Sequence, residues 1–251
     1  MEFNMLGINE VRIAYFLKAF HKKEEEMLIL SFGKCNYNCS YCKRDGQFKD
    51  EHNNIINSKI YSWDEIKNAI DKAMERGYRI RLSGGEPSLF QEESLHIAQY
   101  LKETYNQKLS LAHNGSSPAF ISSMAPYLEY VAIDMKGCND DQINKRTGNV
   151  GVGKLEKTLS CIEIAKSHGI LIDLRTCIFK DTSFSELVKI AAMLPEDQLF
   201  WTLRKYNKVD HCSFEEPSLE YIDECSQRLK KITNIPIGYR AKWENCNFVI
   251  V

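Results

Sequence analysis

Apolar positions along the chain fall repeatedly into two spacings. EMLILSF (Glu26–Phe32) is a short apolar run bounded by charge, which predicts a buried strand. SWDE (Ser62–Glu65) then carries the signature of a capping box, so a helix is expected to about Arg76, with Gly77 suited to its end. The pattern repeats: YRIRLSGGEP alternates like a strand, Glu92–Tyr105 reads as a helix, KLSLAHNG as a strand, and a short helix follows Pro118. YVAIDMKG predicts the next strand. In Lys154–Gly169, apolar residues at Leu155, Leu159, Ile162 and Ala165 keep a helical period. ILIDLRTCIF, a second capping box at SFSE (Ser183–Glu186), QLFWTLRKY, a helix over Leu219–Ile232 and a terminal FVIV complete the series.

Strands alternating with helices of this length imply βαβ units around a parallel sheet. About six units fit between Glu26 and Lys231. No Gly/Ser-rich linker, low-complexity tract or repeat marks a boundary, and KDEHNNIINSK (Lys49–Lys59) reads as a surface loop. The expectation is one α/β domain over residues 1–251, a partial (β/α)6 TIM-like barrel. Residues 1–25 would form an amphipathic N-terminal extension, 26–231 the barrel core and 232–251 a C-terminal tail. Chemistry belongs at the C-terminal strand ends of such a barrel.

Composition narrows the partners. With 251 residues, 43% hydrophobic and 27% charged, the chain has ample material for a core. A net charge of −1 gives no electrostatic reason to expect nucleic acid. The N-terminus lacks a signal-peptide pattern, and no apolar run has membrane-spanning length. Nine cysteines, an odd number, suggest a reducing, cytoplasmic setting in which thiols stay free or bind metal.

Three of those cysteines, Cys35, Cys39 and Cys42, crowd into FGKCNYNCSYCKRDG directly after the first strand. A structural zinc site wants four ligands and a disulfide framework an even number. Three thiolates on one loop suit a metal centre with an open position. Other unusual residues also fall at strand ends: SGGEP (Ser83–Pro87), HNG (His113–Gly115), DMK (Asp134–Lys136) and RKYN (Arg204–Asn207), with Arg175 inside a strand. Cys138, Cys161, Cys177, Cys212, Cys225 and Cys246 form no second motif and read as free thiols.

CNYNCSYC, with an aromatic before its third cysteine, followed about forty residues later by SGGEP, resembles the radical S-adenosylmethionine (radical SAM) superfamily. The resemblance implies that Cys35, Cys39 and Cys42 hold one 4Fe-4S cluster whose remaining iron takes SAM. It also implies an electron donor (flavodoxin or ferredoxin), SAM cleavage to a 5′-deoxyadenosyl radical, and anaerobic chemistry. Tyr41 matches the aromatic near the adenine. Gly84, Gly85 and Glu86 match the segment that receives the SAM amino group. Within the superfamily, HNG, VAIDMKG and LRTCIF look most like the pyruvate formate-lyase activating enzymes, and so imply a glycyl radical enzyme as partner. The alternative partner is a small molecule, nucleoside or peptide. On that match His113 and Asn114 join the SAM site, and Asp134, Lys136 and Arg175 hold the methionine and ribose end. The chain departs from the activases at Ala112, where they carry a cation-binding aspartate; at His113, for threonine; and at Asn207, for histidine. Their DGPGIR signature is also missing. On side-chain chemistry alone, Asp134 and Lys136 also suit a structural ion pair, Arg175 a salt bridge to a helix, and His113 a polar core position. A bare electron carrier has no use for SGGEP or for a barrel of this size.

Overall fold

The computed structural model describes residues 1–17, 21–42, 59–210, 212–241 and 248–251, so the expected loop at Lys49–Lys59 and the tail cysteine Cys246 lie almost wholly outside the described residues. The ten-stranded sheet runs in the order β10-β9-β8-β7-β6-β5-β4-β2-β1-β3. Its parallel part is β2 (His21–Phe32), β4 (Arg79–Gly84), β5 (Leu109–His113), β6 (Leu128–Asp134), β7 (Leu171–Ile178), β8 (Leu199–Lys205) and β9 (Ile237–Arg240). The order is linear, so the barrel is open. The helices are α1 (Trp63–Glu75), α2 (Gln91–Tyr105), α3 (Pro118–Met124), α4 (Asp140–Thr147), α5 (Lys154–Ser167), α6 (Phe184–Ala191) and α7 (Leu219–Leu229). None of the described helices is long and apolar enough to cross a membrane.

The expected six units are present, but both ends differ from the expectation. Instead of an amphipathic extension, β1 (Glu2–Leu17) pairs antiparallel with β2 and carries β3 (Lys59–Ser62) on its other edge. Phe3 and Met5 are fully buried, and Phe3 stacks on Trp63 with ring centroids 5.8 Å apart. The tail likewise contributes β9, a seventh parallel strand, closed off by antiparallel β10 (Phe248–Ile250). α4 escapes sequence reading because it has no apolar stripe: Ile143 is its one buried hydrophobe, and its signals are the Asn139 cap and acidic-to-basic charge order. The box at Ser62 forms in full. At Ser183 only half of it forms, because Glu186 turns away to accept from Gln142 (2.6 Å) and Arg146 (3.2 Å).

Side chains alternate along the parallel strands, and the two faces differ sharply. Outward residues such as Ile80, Leu82, Val131, Ile133, Ile172, Leu174, Trp201 and Leu203 build one continuous core against the helices. A separate cluster of Met27, Tyr130 and Ala132, with Leu171 packed on it, fills the floor inside the barrel. Polar side chains share that interior: Arg81 and Ser110 lie in register with Tyr130, and Asp173, in register with Ala132, accepts from Thr202. That is why β4 reads as alternating although it is a parallel strand buried on both faces.

Candidate active site

The cysteine loop leaves β2 at Phe32 and is held from three sides. At the first, Gly85 N–H donates to Phe32 O (2.8 Å) and Glu86 N–H to Lys34 O (2.7 Å). A Cβ at Gly84 or Gly85 would strike the backbone of Phe32 or Lys34, and Gly84 has φ +111°. The glycine pair therefore lets the end of β4 lie flush on the loop. Close backbone approach is the expected use of these glycines. Its partner in this structure is the chain's own cysteine loop.

At the second, Glu86 is 1% exposed and both its carboxylate oxygens are occupied, Oε1 by Ser88 N–H (3.0 Å) and Oε2 by Asn114 N–H (2.8 Å). Asn114 Nδ2 in turn donates to Asn36 Oδ1 (2.7 Å) and reaches toward Cys35 Sγ at 3.9 Å. Tyr37 N–H donates to the same sulfur at 3.4 Å. Donors aimed at a ligating thiolate stabilise its charge and raise the potential of a cluster. At the third side, Asn38 N–H donates to Thr147 O and to Asn149 Oδ1, each at 2.8 Å. Gly148, in the left-handed C-terminal turn of α4, lies so close that a Cβ would sit 2.5 Å from Asn38 O. The buried Lys154 ammonium donates to Thr147 Oγ1 (3.1 Å) and Asn149 O and stands 5.2 Å from the Tyr37 ring. Asn36, Thr147, Asn149 and Lys154 go unnoticed in the sequence, because no motif links them to the cysteines.

Beside the loop, Lys136 Nζ bonds Asp134 Oδ2 at 2.9 Å and reaches Tyr41 Oη at 3.5 Å. Burial alone would push the Asp134 carboxyl up, but Lys136 and Arg204 outweigh it and hold it below the usual range. Burial opposes charge on Lys136 as well, and Asp134 and Tyr41 raise it well above its ordinary value. The pair is thus fully ionised. Tyr41 packs edge-on against Phe179 (centroids 4.9 Å apart), Tyr206 and Phe214, in a cluster that also holds Cys212. Arg175, paired in register with Asp134, donates from Nε to Asp173 Oδ2 at 2.7 Å. Its salt bridge runs along its own strand and not to a helix.

His113 is buried. Gly115 N–H donates to its Nδ1 (2.8 Å), so neutral imidazole carries its proton on Nε2, which sits 3.5 Å from Glu86 Oε1 without a well-formed bond. Burial lowers its pKa in spite of Glu86 and Asp134. Of the remaining described cysteines, Cys161 and Cys177 are pushed up to about 12 by burial, which keeps both as thiols. Cys177 lies two residues beyond Arg175, on the same barrel-facing side of β7.

By chemistry the donor set fits a 4Fe-4S cluster, which takes cysteine thiolates. Cys35, Cys39 and Cys42 supply three on one loop, with Cys39 and Cys42 joined by a turn (Cys42 N–H to Cys39 O, 3.0 Å).

Comparison with known proteins identifies the family. A protein of Methanocaldococcus jannaschii named as a glycyl-radical enzyme activating enzyme is 26% identical over 194 residues, covering 76% of each chain. A GTP 3′,8-cyclase of Aliarcobacter butzleri is 24% identical over 69% of this chain, which spans 53% of the cyclase's length. The crystal structure of a radical SAM methyltransferase from Sphaerobacter thermophilus superposes with a TM-score of 0.64 at 18% identity, covering 93% of this chain and 76% of that one. It shares the fold. Residues 29–194, well over half of the chain, match the family model of the radical SAM superfamily. The chain belongs to the radical SAM superfamily, whose enzymes use a 4Fe-4S cluster and SAM.

Proposed function

We propose that this chain is a radical SAM enzyme that abstracts a hydrogen atom from a small polar substrate inside the open barrel, with Cys35, Cys39 and Cys42 as its cluster ligands. The carrying observation is the cysteine loop held on three sides, by Gly84–Glu86, Asn114 and Thr147–Asn149, beside an ionised Asp134–Lys136 pair. Bound together, the cluster and SAM supply one-electron cleavage of the sulfonium to methionine and a 5′-deoxyadenosyl radical, with the electron coming from an external donor such as a flavodoxin or ferredoxin. The chain's residues orient and shield. Lys136 meets SAM's carboxylate or a ribose hydroxyl and Asp134 accepts from the ribose, while Arg175, fixed by Asp173, guards the methionine end. Tyr41 walls the adenine side, backed by Phe179 and Phe214.

A second reading, activation of a glycyl radical enzyme, has the support of the HNG, VAIDMKG and LRTCIF stretches and of the archaeal relative so named. Ala112, His113 and Asn207 depart from the activase pattern, and the polar side chains beside Met27 and Tyr130 favour a small polar substrate inside the barrel.

The test is anaerobic reconstitution followed by dithionite and SAM. The parent should hold about four irons and release 5′-deoxyadenosine and methionine slowly, and alanine at any one of Cys35, Cys39 or Cys42 should abolish that release. Full iron content and cleavage in the triple alanine variant would sink the assignment, as would methylthioadenosine as the main product.

A further inference from the structure

Lysine is among the residues least often buried, because its ammonium gives up water to go inside. Lys154 is 8% exposed and is the first residue of α5. Both placements cost stability. The first turn of a helix carries positive partial charge, which suits Glu156 and opposes a cation. What the ammonium touches is neutral: Nζ donates to Thr147 Oγ1 (3.1 Å) and to Asn149 O, and stands 5.2 Å from the centroid of the Tyr37 ring. Two oxygen acceptors and a ring face favour the charged form, but they bring no counter-charge.

The surroundings of that charge give it a use. Thr147 O and Asn149 Oδ1 both accept from Asn38 N–H at 2.8 Å, and Asn38 directly precedes Cys39. Tyr37 lies midway between Cys35 and Cys39. The Lys154 ammonium is therefore set against the middle of the cysteine loop. Burial and Lys157 oppose its charge, while Asp140 and Cys39 support it. Asp140 is occupied by the helix start: Oδ2 accepts from Gly153 N–H (2.5 Å) and Oδ1 from Leu155 N–H (2.9 Å). Lys136 also bears on Cys39, but Asp134 at 2.9 Å already matches its charge.

We propose that Lys154 is a positioning charge for the cluster, favouring its reduced state and so easing entry of the electron from the external donor. The inference rests on the radical SAM reading and deepens it by naming what governs electron entry at that site. A donor of the flavodoxin or ferredoxin class is oxidised by one electron, one negative charge is added at the cysteine loop, and no bond forms or breaks. A cation fixed nearby in a medium of low dielectric lowers the free energy of that added charge.

The test is a redox titration of reconstituted protein without SAM, followed by the electron paramagnetic resonance signal of the reduced cluster. Lys154→Met removes the charge, Lys154→Gln removes it but keeps a donor, and Lys154→Arg keeps it. At the poise where the parent is half reduced, the Met and Gln variants, checked for full iron content, should show a reduced-to-oxidised ratio about tenfold lower. For one electron that is a midpoint potential about 59 mV more negative. Lys154→Arg should stay close to the parent. A brace that acted only through hydrogen bonds would leave the Gln variant at the parental potential, and that result overturns the proposal. Should neither neutral variant load with iron, Asp140→Asn decides. Loss of the opposing charge should make its midpoint potential less negative, and an unchanged or more negative value overturns the proposal. A parent that holds its cluster but makes no 5′-deoxyadenosine fails the radical SAM reading alone. A parent that makes it, with neutral variants at its own potential, fails this inference alone.

Discussion

At the scale of single residues, the site depends on charge pairs whose value comes from burial. Asp134 and Lys136 stand two apart around Met135, and each holds the other ionised against the cost of desolvation. Asp134→Asn keeps the shape and removes the charge. We expect it to retain its iron but bind SAM roughly ten- to a hundredfold more weakly, since a hydrogen bond to a charged group contributes about 1.5–3 kcal/mol. A SAM titration followed by the perturbed cluster signal measures this, and parental affinity would make the pair structural. Residue chemistry alone offered both roles for these two positions. The structure shows the pair, with the Asp134 side chain still partly exposed.

At the scale of elements, α4 is the least expected piece and one of the most consequential. It carries little apolar surface, yet its C-terminal turn delivers Thr147, Gly148 and Asn149 to the backbone of Asn38 in the cysteine loop. Gly148→Ala meets two obstacles: φ +68° and a Cβ 2.5 Å from Asn38 O. The left-handed conformation alone costs about 1–2 kcal/mol. We expect reconstituted Gly148→Ala to lose iron faster than the parent on dilution with a chelator, although no ligand has been changed. Equal iron retention would mean that α4 does not brace the loop. The hairpin of β1 and β2 carries the same lesson. Its first strand lies between β2 and β3, and that pairing is with segments the local pattern of residues 1–25 does not reveal.

At the scale of the whole molecule, pH should act on the fold through His113, which is packed between Glu86 at the end of β4 and Phe120 of α3, with Asp134 of β6 nearby. Burial depresses its folded pKa below the ordinary value of about 6.5. The unfolded chain therefore takes up a proton first, and stability present above about pH 6.5 is lost as pH falls toward the depressed value. The depressed carboxylates Asp134 and Asp173 act lower, below their ordinary value of about 3.9. Melting temperature should thus drop more between pH 7.5 and 5.5 in the parent than in His113→Asn; equal drops would remove His113 as the cause. The sequence by itself determined the strand–helix order, the capped start of α1 and the identity of the cysteine loop, because periodicity, caps and a close-set motif are local features. It also brought Asp134, Lys136 and Arg175 forward as strand-end or strand residues. Only the tertiary structure decided that Gly84 and Gly85 fit against the cysteine loop, and that Arg81, Arg204 and Arg240 face the barrel interior. Those facts depend on register between strands far apart in the chain, and a one-residue slip in any strand would turn its arginine outward.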